Sequence, residues 1–207
     1  MTTHPPASRT TRERAKAERA DALVEAAARL FAHHGFDGVS LEELGAAVGI
    51  TGPAVYRHFD SKRALLAAIL LRASNDLLSG GRRVVAAGHG ADRALRELVD
   101  FHVEFAVRSA DVIRVQDRDL ARLSDADRHA VRRLQREYVE LWVEVLRAVH
   151  PDRGETDLRV RAHAGFGLIN STPYVVRSRR EVAVDAGTDG LLRGILSDMA
   201  YAALSAR

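Results

Sequence analysis

Thr51, Tyr56, Arg57, His58 and Lys62 crowd into the stretch GITGPAVYRHFDSKRALL, residues 49–66. Two hydroxyls, a guanidinium, an imidazole and an ammonium share one competence: each hydrogen-bonds to, or pairs with, an anionic oxygen. Val55 and Phe59 are interleaved with them. A core helix has no use for so many polar groups on one turn, and a surface loop has no use for Val55 and Phe59. The stretch therefore needs two faces, one for a core and one for a polar partner.

Other chemistries have little to stand on. The chain has no cysteine, which excludes disulfide frameworks, zinc ribbons and thiol catalysis. It carries no nucleophile motif, phosphate-binding Gly loop or metal-ligand spacing, and His33-His34 closes a helix without converging on a partner. An enzyme is disfavoured, and neither a cofactor nor a bound metal is expected. Of 207 residues, 46% are hydrophobic but only 5% aromatic, with Ala and Leu dominant and five prolines. Ala and Leu are strong helix formers, whereas strands draw on β-branched and aromatic residues, so an all-α protein is expected. The net charge of +3 is modest. It is unevenly spread: Arg9, Arg12, Arg14, Lys16 and Arg19 face only Glu13 and Glu18. That segment suits either added phosphate contacts or a solvated tail. No apolar run reaches the roughly 18 residues of a membrane span, and the N-terminus lacks a signal-peptide core. The cytosol is the expected location.

Several elements must position the polar stretch. Residues 1–10 read as a disordered basic arm. From Thr11 a helical pattern carries Leu23, Ala26, Ala27, Leu30 and Phe31 and stops at Gly35, a natural C-terminal cap. Ser40 with Glu43 is a capping box opening a second helix through Val48, which Gly49 ends. Thr51 caps a third short helix with Pro53 in its first turn, and a fourth begins near Lys62. Two short helices about a tight turn at Gly49 give helix-turn-helix spacing, with Leu44, Val48, Ile50, Val55 and Phe59 inward. The fourth helix is expected to reach Gly80-Gly81, with RRVVAAGHG a continuation or a loop. Amphipathic helices follow, one with Leu95, Leu98, His102 and Phe105 on a stripe. The clearest opens at Ser124 and carries Val131, Leu134, Tyr138, Leu141, Trp142, Val145 and Val149. Two more are expected at about 155–177 and 187–205.

The ordered set Phe36, Ser40, Gly49-Ile50-Thr51, Tyr56-Arg57-His58-Phe59 and Lys62 resembles the DNA-binding unit of TetR/AcrR-family transcriptional regulators over residues 20–66. In a helix-turn-helix the second short helix enters the major groove while the first crosses the backbone. On that footing Ser40 and Thr51 offer hydroxyls and free amides to phosphates, joined by Tyr56, His58 and Lys62, contacts that orient without reading sequence. Gly52 and Pro53 depart from the family, where side chains at those positions often reach bases. Readout then leans on Thr51, Ala54 against a thymine methyl, and Arg57, whose guanidinium suits either a guanine edge or a phosphate. Gly52 would allow close backbone approach, and Pro53 would fix the helix start.

The resemblance implies a DNA-binding domain over 11–66 and a helical effector-binding and dimerisation domain over 67–207. A palindromic operator requires a homodimer. Leu191, Leu192, Ile195, Leu196 and Met199 suit an intersubunit four-helix bundle or, equally, an intrachain core. His102 on a stripe with Phe105, Tyr138 and Trp142 on another, and Phe166, Asn170 and Tyr174 in the irregular stretch AHAGFGLINSTPYVV together suggest a largely apolar pocket with a few polar anchors for a small-molecule effector. The glycines at 165 and 167 suit close approach of either a ligand or a packed helix. GLINSTPY and VIRVQDRDLARL are similar to C-terminal domains of regulators associated with fatty-acid and acyl-CoA metabolism, and Arg177, Arg179 and Arg180 would receive a ligand's phosphates. The expected function is a ligand-responsive repressor released by a hydrophobic or amphipathic molecule. An activator, or a DNA-binding protein without small-molecule control, is the alternative.

Overall fold

The computed structural model describes residues 11–172 and 187–206, and every regular element among them is helical. The expectations for residues 1–10, Tyr174, Arg177, Arg179 and Arg180 lie outside the described residues. The chain divides into two compact units between Ile69 and Leu70.

In the first unit α1 spans Thr11–His34. It closes at Gly35, whose N–H reaches the Phe31 carbonyl at 2.9 Å. α2, Leu41–Ala46, opens with the capping box read from sequence. Ser40 N–H donates to Glu43 Oε2 at 2.7 Å, and Glu43 N–H donates to Ser40 Oγ at 3.1 Å. The helix stops short of Val48. Val48 and Gly49 donate back three residues, to the carbonyls of Gly45 and Ala46, and so form the turn itself. Gly49 has φ +71°, the left-handed conformation that glycine adopts without a Cβ clash. α3 is a single turn, Gly52–Val55, with Thr51 as N-cap and Pro53 in its first turn. α4, Lys62–Ala86, begins where Ser61 Oγ accepts from Ala64 N–H at 3.0 Å.

Leu23, Phe31, Leu44, Val55, Leu65 and Leu66 are sealed in this unit's core. Each such side chain contributes about 1.5–3 kcal/mol relative to exposure. Val39 is buried as well, although the sequence pattern did not single it out. Leu30, Val48, Ile50 and Phe59, expected to point inward, are half-buried and rim the core.

In the second unit α4 continues through Gly80 and Gly81, where a break was an option. A Cβ at Gly80 would lie 2.1 Å from Phe101 Cζ, and one at Gly81 2.7 Å from Tyr138 Cε2. The missing side chains admit α5 (Ala91–Arg108) and α7 (Asp125–Val149), and that packing outweighs the ~1 kcal/mol propensity cost of each glycine. Between them lie α6, Ala110–Asp119, and a 3-10 turn, Leu120–Arg122. Ser124 caps α7 by accepting from Asp127 N–H at 3.1 Å.

α8, Glu155–Ile169, is shorter than the expected 155–177. Ser171 and Thr172 hydroxyls donate to the carbonyls of Leu168 and Ile169, and such local bonds compete with helix continuation. α9 spans Gly187–Ser205. Its faces divide the stripe expected at a dimer interface. Leu192 and Leu196, each 6% exposed, belong to the chain's own core, while Leu191 (61%), Ile195 (47%) and Met199 (53%) face outward. Leu192 and Leu196 thus take the intrachain alternative, and the other three lie beside them on the same side of the helix, since 100° per residue puts all five within an arc of about 140°. The buried His150 ring donates from Nε2 to the Leu204 carbonyl at 2.7 Å and ties the end of α9 to that of α7.

Candidate functional site

The first unit presents one polar face around the Gly49 turn. Thr51, Pro53, Tyr56 and Arg57 are exposed, and Ala54 is half-buried. Thr51 makes no capping bond with its side chain. Its hydroxyl lies on the exposed face. Ser40 differs, because its Oγ also donates to Glu43 Oε2 at 2.8 Å. These bonds hold the Glu43 carboxyl below the usual range.

Three residues of the expected contact set have structural work of their own. Gly52 is buried, and a Cβ there would lie 3.0 Å from Glu42 Oε1 and 3.2 Å from the Glu42 backbone N. Packing against α2 accounts for a glycine here. Lys62 Nζ donates to the Val39 carbonyl at 2.8 Å and sits 4.6 Å from the Phe36 ring centroid. It fixes the loop before α2. His58 is half-buried, and its Nδ1 meets no hydrogen-bond partner among the described residues. Burial first, then the charges of Lys16, Arg19 and Arg57, push its pKa down.

Two further residues set this geometry, Arg19, read from sequence only as part of a basic segment, and Gly45, which sequence reasoning missed. Arg19 donates to the Val48 carbonyl at 2.7 Å and anchors the turn to α1. Gly45 lets the turn fold onto α2: a Cβ there would lie 2.6 Å from the Ile50 carbonyl oxygen. A glycine inside a helix as short as ELGA was the available signal.

The second unit brings together His102 and Phe105 from α5, Tyr138 and Trp142 from α7, and Phe166 and Asn170 at the end of α8. Tyr138 O–H donates to His102 Nδ1 at 3.3 Å, and His102 Nε2–H donates to Asn170 Oδ1 at 3.2 Å. That order fixes a neutral imidazole, protonated on Nε2. Phe166 stacks on His102 (centroids 5.1 Å) and on Tyr138 (5.7 Å, planes 11° apart). Trp142 meets Phe166 edge to face at 5.1 Å, and the His102–Phe105 pair is T-shaped at 6.5 Å. His163, also missed, places its exposed ring 6.2 Å from Phe166.

Burial depresses the His102 pKa to about 4, against the smaller opposing effect of Asn170. It pushes the Tyr138 phenol well up, and the Trp142 indole holds back only part of that rise. The Trp142 Nε1–H itself is buried and reaches no acceptor with hydrogen-bond geometry among the described residues. The two glycines beside Phe166 divide: a Cβ at Gly165 would come to 3.1 Å from Leu204 Cδ1, whereas Gly167 has open space. Gly165 therefore serves helix packing. Tyr174 lies outside the described residues.

No group of three or more His, Asp or Glu side chains among the described residues is placed to hold a metal ion. No helix among them is long and apolar enough to cross a membrane.

Residues 23–69 match the model of bacterial regulatory proteins of the tetR family, and residues 88–174 match a tetracyclin repressor-like C-terminal domain. The chain is 29% identical over 203 residues to the HTH-type transcriptional repressor KstR2 of Rhodococcus jostii (strain RHA1), covering 96% of this chain and 98% of that protein. A solved TetR-family transcriptional regulator from Bordetella parapertussis 12822 has the same fold, with TM-score 0.74 and 24% identity over 89% of this chain and 93% of that one. So does AibR, solved in complex with isovaleryl coenzyme A and operator DNA, with TM-score 0.68 and 22% identity over 87% of this chain and 97% of that one. The helix-turn-helix unit, the helical unit that follows it and both family models place the chain in the TetR family of DNA-binding transcriptional regulators, which are not enzymes.

Proposed function

We propose that the protein is a homodimeric repressor released from operator DNA by a hydrophobic or amphipathic small molecule. The observation that carries this reading is the pairing of an exposed polar face at Thr51, Pro53, Tyr56 and Arg57 with a separate buried cluster at His102, Tyr138, Trp142 and Asn170. The first suits a polyanion. The second has the composition of a small-molecule site, largely apolar with a few oriented polar groups.

Residues 11–66 then serve DNA binding, and residues 67–207 serve effector binding and dimerisation. On the operator, Thr51, Tyr56, His58 and the α2 N-terminus at Ser40 take phosphates, with Lys62 adding charge behind them. Arg57 and Ala54 are left to read bases, since neither Gly52 nor Pro53 has a side-chain donor. The exposed Leu191, Ile195 and Met199, with Val160 (62% exposed) on α8, are the apolar surface a second copy would cover.

An acyl-CoA or fatty acid is the effector class favoured by kinship: AibR was solved with isovaleryl coenzyme A, and the KstR2 relative is a repressor. Release requires that the effector bind the DNA-free state more tightly than the operator-bound state. A gel shift on the DNA upstream of the protein's own gene, with fatty acids, acyl-CoA thioesters and hydrophobic drugs added in turn, tests the reading. Release by one class supports it. Binding that nothing releases favours DNA binding without small-molecule control, and reporter expression that falls on gene deletion identifies an activator.

A further inference from the structure

We infer that the cluster His102–Tyr138–Trp142–Asn170 recognises an uncharged oxygen acceptor on an apolar molecule, a ketone, ester or thioester carbonyl, which enters where the Phe166 ring now lies, and that it rejects a free carboxylate. The inference rests on the effector reading above and narrows it, keeping the acyl thioester and excluding the free fatty acid.

Three observations carry it. The first is the unspent donor. Tyr138 O–H and His102 Nε2–H are already committed, the one to His102 and the other to Asn170. Trp142 Nε1–H is buried and fully enclosed and, beyond its weak interaction with the Tyr138 phenol, reaches no acceptor with hydrogen-bond geometry among the described residues. A buried donor left unmade costs more than an ordinary hydrogen bond returns, so an oxygen delivered to it is favoured twice over. Indole is a donor only, so the missing group must be an acceptor.

The second is the neutral lining among the described residues. His102 is neutral because of its burial, and its two nitrogens are occupied by Tyr138 and Asn170. The aromatic neighbours are uncharged, and the side chains that close the cluster are Phe105, Phe166 and Trp142. Against these side chains a carboxylate would find no counter-charge, and an unpaired buried charge is far costlier than a buried carbonyl.

The third is the displaceable ring. Phe166 fills the slot between the imidazole and the phenol, yet it is only half-buried, and its neighbour Gly167 is exposed. Its ring stands in for a flat or chain-like apolar group. Swinging it outward opens an apolar slot against the Tyr138 face without breaking the Tyr138–His102–Asn170 chain.

Trp142 is the chain's single tryptophan, so its emission reports on the site directly. The experiment titrates the full chain at pH 8 with 2-decanone, decanoyl coenzyme A and decanoate, reading Trp142 emission, and repeats the titrations by calorimetry on Trp142→Phe and Phe166→Ala. We expect saturable emission changes with at least one neutral carbonyl, the stronger of the two naming the source, and decanoate weaker by about tenfold or more. Trp142→Phe, which keeps the ring and loses the donor, weakens the neutral ligand about fivefold, and Phe166→Ala tightens it. Decanoate equal to or tighter than both neutral probes overturns the inference. So does an unchanged affinity in Trp142→Phe, or no saturable change with any probe. The readout needs no DNA, so loss of operator binding in a parallel gel shift would defeat the regulator reading separately.

Discussion

Replacing His102 by Gln should flatten the acid sensitivity of the fold. The imidazole is sealed among Tyr138, Trp142 and Phe166, and its pKa falls from 6.5 to about 4, chiefly through burial. Above pH 6.5 neither the folded nor the unfolded chain protonates this ring, and His102 adds no pH dependence. Between 6.5 and about 4 the unfolded chain takes up a proton that the folded chain refuses. Stability therefore falls with pH in that window, at about 1.4 kcal/mol per unit. From pH 7.5 to 4.5 the loss specific to His102 is about 2.5 kcal/mol. Gln keeps an amide donor for Asn170 and an acceptor for Tyr138, but it does not titrate. Urea unfolding of both proteins at a fixed concentration, at pH 7.5, 6.0, 5.0 and 4.5, gives the difference directly. The gap between the two stabilities should close by about 2.5 kcal/mol on acidification. Parallel curves across the range would refute the assignment of a neutral, buried imidazole.

Gly45→Ala should cost about 1–3 kcal/mol, because its Cβ would overlap the Ile50 carbonyl and the turn must shift; chemical unfolding and a gel shift read the two consequences. Met199→Glu with Ile195→Glu should yield a folded monomer by sedimentation, since both side chains are exposed within the chain, whereas Leu196→Ala should cost about 2–5 kcal/mol of core stability. Tyr56→Ala should weaken binding to all operator variants alike, while Arg57→Ala should also relax preference at one base pair; equal losses from both would remove Arg57 from the readout.

What local side-chain chemistry dictates was legible in the sequence. The Ser40–Glu43 and Ser124–Asp127 caps, the Gly35 stop, the glycine of the turn at 49 and the start of α4 each depend on residues within four positions of one another, although α2 itself ends three residues before Gly49. What depends on distant partners was not. Gly80 and Gly81 look like a helix end until Phe101 and Tyr138 are seen against them. Leu192 and Leu196 look interchangeable with Leu191 and Ile195 until α9 is packed. Lys62 reads as a free cation, yet it spends its ammonium on Val39 and Phe36. The buried cluster shows both sides of this limit. A polar or aromatic residue on an apolar stripe singles out His102, Tyr138, Trp142 and Asn170, but the order of their hydrogen bonds and the Phe166 stack exist only once α5, α7 and α8 meet.

The measurement that bears most directly on a DNA-binding, ligand-released regulator is a nuclease footprint of the purified protein on the region upstream of its own gene. Protection of two half-sites related by dyad symmetry, one helical turn or a multiple of it apart, is the expected result, with affinity falling steeply as salt rises. Addition of the ligand that shifts Trp142 emission should erase the footprint. Uniform protection, no better on the upstream region than on competitor DNA, would contradict a sequence-reading regulator.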